Sequence, residues 1–193
     1  MNAADDDLLE ERSSVEAGVW VFILADMCIF SLYFGVFAWD KHLHPEQFAQ
    51  GQATLNSGFG ALNTLVLLTS SYFMASAVHA ARAQRIEVYV RSIRLAIVCG
   101  LVFFVVKTVE YTEKISAGFH IATNEFYRNY FSFTGFHMIH VIVGTSFIIY
   151  LLSSIRTSDQ VRANTSFIEG VGLYWHMVDL LWVVLFSLIY LVP

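Results

Sequence analysis

Five apolar stretches, each long enough to cross a lipid bilayer as a helix, constrain this chain more than any other feature: residues 17–39, 57–81, 93–113, 131–153 and 170–192. A hydrocarbon core of about 30 Å takes roughly 20 residues of α-helix, and lipid offers backbone N–H and C=O groups no partner outside the helix itself. With 56% hydrophobic and 14% charged residues and a mean hydropathy of +0.58, little polar surface is left for a water-soluble fold. The expected fold class is all-α: a polytopic bundle of five transmembrane helices forming one domain over residues 17–193.

The net charge of -5 is local. Asp5, Asp6, Asp7, Glu10, Glu11 and Glu16 against Arg12 account for all of it, so residues 1–16 form an acidic tail expected to be disordered. This tail lacks the basic start of a cleavable signal, and the first span is expected to stay as an anchor. Arg12, then Arg82, Arg85, Arg91 and Arg94, then Arg156 and Arg162 fall on one side of the membrane; Lys41, Lys114 and Arg128 fall on the other. The positive-inside rule therefore puts the N-terminus in the cytoplasm and, after five crossings, the C-terminus outside.

Between the spans, Lys41 to Asn56 carries Pro45 and Gly51 and reads as an exposed connector, in which His42 and His44 are solvated rather than metal-bound. The second span is rich in Gly, Ala, Ser and Thr, which lets helices approach closely, so it reads as a packed interior helix. Asn63 within it is expected to hydrogen-bond a neighbouring helix. Cys28 and Cys99 have no CxxC or CxxCH context and read as core thiols.

Ionisable groups at membrane depth persist when paired, turned into the bundle, or used. His176 and Asp179 share one helix face about a turn apart, as do His137 and His140. Lys107, Glu110 and Tyr111 give the third span one polar face, with Glu110 the natural partner of Lys107. Asp26 stands alone among apolar neighbours, and an acid at that depth is a candidate for proton handling or for a polar lipid headgroup. No CxxCH, copper-type cluster or convincing haem pair is present. Catalytic, metal and cofactor residues are thus expected to be none. The buried polar or proton-related set is Asp26, Asn63, Lys107, Glu110, His137, His140, His176 and Asp179.

Five collinear segments carry a family resemblance: Trp20 to Phe30 with its mid-span acid, Leu62-Asn-Thr-Leu-Val-Leu-Leu-Thr69, Lys107 to Glu113, Thr134-Gly-Phe-His-Met-Ile-His-Val-Ile-Val-Gly144, and Tyr174-Trp-His-Met-Val-Asp179 followed by Trp182. Together they resemble subunit III of the haem-copper oxidases, the cytochrome c oxidase subunit 3 family, over residues 15–193. The resemblance implies a bundle equivalent to the C-terminal five helices of the seven-helix form, in which the larger members hold phospholipid against the bundle. Asp26 stands where the respiratory oxidases usually carry glutamate. The short form and the wording around Ala25-Asp-Met27 resemble above all the accessory membrane subunit of bacterial nitric oxide reductase, the preferred branch of the family, which implies a bacterial inner membrane as the location.

What the resemblance implies is a non-catalytic subunit that stabilises a larger haem-containing catalytic subunit and supports proton uptake in respiratory electron transport. Haem and metal are expected in that partner, membrane lipids are expected neighbours, and nucleic acid is not an expected partner. Two alternatives follow from the residues themselves: a haem- or metal-binding membrane enzyme using His137, His140 and His176, or a small proton conductor using Asp26 with Lys107 and Glu110.

Overall fold

The computed structural model describes residues 3–155 and 157–192, with side chains described from Gly18 onward apart from position 156. Seven helices follow one another: α1 (Ala3–Leu43), α2 (Pro45–Thr54), α3 (Ser57–Arg82), α4 (Ile86–Ser116), α5 (Glu125–Ser154), α6 (Ser158–Ala163) and α7 (Thr165–Phe186), the last continuing into a π-helical turn over Ser187–Leu191. Five are long and apolar enough to cross a membrane, and no strand occurs among the described residues. They begin up to seven residues earlier than hydropathy alone suggests, because polar flanks such as Glu125 to Arg128 continue the helix beyond its apolar part. The backbone of α1 is helical from Ala3, but the side chains of the acidic segment expected to be disordered lie outside the described residues.

Side-chain caps fix several helix starts. The Asn56 side chain accepts from Gly58 N at 2.9 Å and the Asn124 side chain from Tyr127 N at 3.0 Å, each satisfying an N–H that the helix leaves open. Thr157 and Gln160 form a reciprocal capping box at α6. After α4 the chain turns at Gly118, whose φ of 87° suits a residue without a Cβ. Between α3 and α4 the corresponding position is Gln84, at φ 55°.

The connector between the first two spans departs from expectation. Residues Pro45–Thr54 are a helix, started by a proline that fits the first helical position. Phe48 is fully buried, meeting Phe37 and Phe126 edge-on at centroid separations of 5.2 and 5.6 Å. Gly51 lies so close to the Phe126 ring that a Cβ would collide with it. One apolar anchor and one glycine thus fold a polar sequence down over the ends of α1 and α5. His42 in this region is exposed, as expected.

Helix α7 occupies the middle of the bundle, with more than half of its membrane window buried against about a fifth for α1. It packs on α3, α5 and α1, while α3 and α4 form an antiparallel hairpin. The Trp175 ring fills the centre, lying against Gly144 of α5 and Gly100 of α4, where Cβ atoms would come within 2.7 and 3.4 Å of it. Its indole N–H donates to Ser70 Oγ at 3.1 Å, and that hydroxyl donates to Ala96 O at 3.1 Å, tying α7, α3 and α4 together. Small residues give α3 one packed face, at Gly60, Ser70, Ala77 and Ala81, but Leu65, Leu68 and Tyr72 face outward, so the helix is interior on one side only. Cys28 is exposed on α1 rather than in the core, and Cys99 is half-buried.

Candidate functional site

The buried polar residues assemble into separate clusters. The most complete surrounds Lys107, which has no exposed surface although an ammonium at that depth carries a desolvation penalty of several kcal/mol. An ammonium group has three N–H donors. Lys107 Nζ donates to Glu110 Oε2 at 3.1 Å, to Tyr130 OH at 3.2 Å and to Tyr190 OH at 2.9 Å. Both phenols in turn donate hydrogen bonds to Glu110 Oε1, at 2.9 Å from Tyr130 and 2.5 Å from Tyr190. Every donor of the cation is matched, and both carboxylate oxygens accept. The rings of Tyr130, Tyr111, Trp182 and Tyr190 lie with centroids 4.7–5.5 Å from Nζ, adding cation–π attraction in a water-poor site.

Three elements build this cage. Lys107 and Glu110 face the same way because they lie three apart on α4, α5 brings Tyr130, and the π-turn brings Tyr190. That turn is held in place by its carbonyls. Gln52 Nε2 of α2 donates to the carbonyls of Ile189 at 3.0 Å and Val192 at 2.6 Å, and Lys41 Nζ also reaches Val192 O, at 2.9 Å.

A second cluster joins α1 to α5. His140 Nε2 lies 2.9 Å from Asp26 Oδ2, close enough for an ion pair although its direction is poor for a hydrogen bond. The other ring nitrogen, Nδ1, contacts Phe136 O at 2.9 Å, and the ring meets Phe30 edge-on. Asp26 and His140 are only 7% and 8% exposed, at the edge of the bundle. Asp26 is therefore partnered rather than isolated.

The remaining members of the expected set do not join one network. His176 is half-buried and contacts Ser71 Oγ through Nδ1 at 2.6 Å, with no hydrogen bond to Asp179. His137 is fully buried between Phe103 and Trp182, and neither ring nitrogen has a hydrogen-bond partner among the described residues. Both amide atoms of Asn63 are likewise without hydrogen-bond partners there, so the expected interhelical bond of Asn63 does not form, and Asp179 is buried beside Ser71. His137, His140 and His176 point to α4 and α7, to α1, and to α3 respectively, and no group of three metal-ligating side chains forms among the described residues. The histidine set of the metal-enzyme alternative therefore does not converge.

Sequence reasoning found the Lys107–Glu110 pair but missed Tyr130 and Tyr190. The signal was stoichiometric: one carboxylate cannot satisfy three ammonium donors, so further acceptors had to come from other helices. Ser70, Ser71 and Thr64 belong to the small and hydroxylated residues of the second span, yet each also accepts or shares a hydrogen bond with a side chain of α7, Thr64 taking the Trp182 indole N–H at 3.0 Å.

The five segments that carried the resemblance now lie on the five spans of one bundle, and residues 8–192 match the family described as cytochrome c oxidase subunit III. The chain belongs to that family. It is 28% identical to a cytochrome c oxidase subunit 3 of Alkalihalophilus pseudofirmus, over 94% of this chain and 90% of the relative. It is 24% identical to the cytochrome bo(3) ubiquinol oxidase subunit 3 of Buchnera aphidicola, over 98% and 92%. A heme-copper oxidase subunit I+III of Aeropyrum pernix is 26% identical over 94% of this chain but only 23% of its own length. The subunit III family is thus joined here to a multi-pass membrane architecture whose polar groups are largely turned inward.

Proposed function

We propose that the chain is a non-catalytic subunit of a haem-copper respiratory complex, packed in the bilayer against a larger catalytic subunit that carries the haem and metal, and stabilising it. The observation that carries this reading is the closed Lys107–Glu110–Tyr130–Tyr190 cage, which uses a fully buried ion pair to hold α4, α5 and the end of α7 together rather than to meet a substrate. The printed name of the Aeropyrum pernix relative, subunit I+III, supports a partner of the subunit I kind, since a segment similar to this chain there forms part of a much longer polypeptide. The arginine distribution supports a cytoplasmic N-terminus, and the bacterial relatives named above support placement in a bacterial cytoplasmic membrane.

The oxidase type is favoured over the nitric oxide reductase type. The short form does not single out the latter, because the two oxidase subunits 3 named above are matched over nine-tenths or more of their own length. Support for proton uptake is a second reading, favoured by the Asp26–His140 pair at the bundle edge. Phospholipid held against the bundle belongs to the same proposal.

Purification of the tagged chain in mild detergent tests the main reading. A co-purifying larger subunit with a haem absorption band is expected, and turnover with oxygen and with nitric oxide then distinguishes the two types. A complex prepared without this chain should retain turnover but inactivate sooner. Isolation of the chain as a stable haem protein by itself would overturn the proposal. For the proton reading, Asp26→Asn in the intact complex should slow turnover at alkaline pH, where protons are scarce; an unchanged pH profile counts against it.

A further inference from the structure

Helix α4 is longer than a bilayer core is thick, since its 31 residues rise about 46 Å. From Leu95 to Thr112, roughly 27 Å of helix, the charged residues are Lys107 and Glu110, both fully buried. Arg94 therefore stands at the hydrocarbon boundary, with Arg91 about one turn and Glu87 about two turns further toward water. Steps of three and four residues put all three on one face, and all three are exposed. Arg82 and Arg128 are ion-paired, to Glu169 at 2.7 Å and to Asp40 at 3.3 Å, whereas Arg91 and Arg94 form no ion pair with a described residue.

Ile86, Val90 and Leu95 join Glu87, Arg91 and Arg94 to line a shallow trough of about 520 Å³. Deeper along the same side, Val98, Leu101, Val102 and Val105 form an exposed apolar strip. From water inward the face thus presents a carboxylate, two guanidiniums and then an aliphatic surface. An ethanolamine phospholipid presents the complementary order: an ammonium, a phosphate and then acyl chains. We propose that this face of α4 binds an ethanolamine phospholipid, its phosphate on Arg91 and Arg94, its ammonium on Glu87 and an acyl chain along the valine–leucine strip. Guanidinium groups match phosphate oxygens bidentately. Phosphatidylglycerol has no cation for Glu87, and the choline of phosphatidylcholine has no N–H to donate to it.

The test is native mass spectrometry of the full-length chain released from micelles containing equal amounts of phosphatidylethanolamine, phosphatidylglycerol and phosphatidylcholine. The parent should retain phosphatidylethanolamine in preference to the other two. R91Q and R94Q should each lower that retention about fivefold without changing the melting temperature, while R162Q on α6 should leave it as in the parent. Glu87→Gln should move the preference toward phosphatidylglycerol. Equal retention of the three lipids by the parent, an equal loss in R162Q, or an unchanged preference in E87Q would overturn the proposal. So would loss of a larger subunit from the intact complex in the R91Q/R94Q double variant with lipid retention unchanged, since the face would then be a protein contact.

Discussion

Lys107 illustrates how a charge survives inside a bundle: its attraction to Glu110 offsets desolvation only because two tyrosine hydroxyls complete the shell. Replacing it by methionine leaves Glu110 buried without its cation and should destabilise the protein by about 3–5 kcal/mol, read as a lowered melting temperature in detergent. The double variant Lys107→Met with Glu110→Leu should recover much of that loss, because replacing a whole buried pair by apolar groups is often close to neutral. A double variant no more stable than the single one would show that the tyrosines, left without partners, dominate. Asn63 is the opposite case. Fully buried with neither amide atom hydrogen-bonded, it carries a desolvation penalty with nothing to offset it. Asn63→Leu should therefore be neutral or stabilising in the same assay, and a loss of more than about 2 kcal/mol would contradict the unpartnered geometry.

Among the elements, α2 was the least legible. Its polar composition, Pro45 and Gly51 all suggest a loop, and only burial of Phe48 between Phe37 and Phe126 makes the segment helical and docked. Phe48→Ala should cost about 3–5 kcal/mol and speed amide hydrogen exchange in α2 and in the π-turn, which depends on Gln52. Faster exchange in α2 alone would mean that the π-turn stands without it. The turn between α3 and α4 shows a different tension. Gln84 occupies the left-handed region that glycine prefers, so Gln84→Gly should stabilise by about 1 kcal/mol against the loss of its side-chain bond to Ala81 O at 2.9 Å. A lower melting temperature would mean that the side-chain bond outweighs the backbone strain.

At the scale of the whole molecule, the polar side chains stitch a central α7 to its neighbours, and the outer surface is left apolar for lipid or a partner. His176→Ala removes one contact to Ser71 at 2.6 Å and should lower stability by about 1 kcal/mol while an assembled complex keeps its turnover; full loss of turnover with normal assembly would contradict an accessory role. The spans, their order and the family were legible in the sequence, because crossing a bilayer demands long apolar helices and the matching segments lie one after another along the chain. Asp26, Lys107, Glu110 and His140 could be singled out for the same reason, since a charge is conspicuous in an apolar run. Which groups meet was decided by the tertiary structure alone. Lys107 and Tyr190 lie 83 residues apart, Asp26 and His140 on different helices, and their contacts depend on how each helix is rotated and seated against the next. Residue spacing along one helix fixes neighbours on that helix, but rotation between helices is set by the fit of Trp175 against Gly100 and Gly144 and of Phe126 against Gly51, a property of packed volumes rather than of sequence pattern.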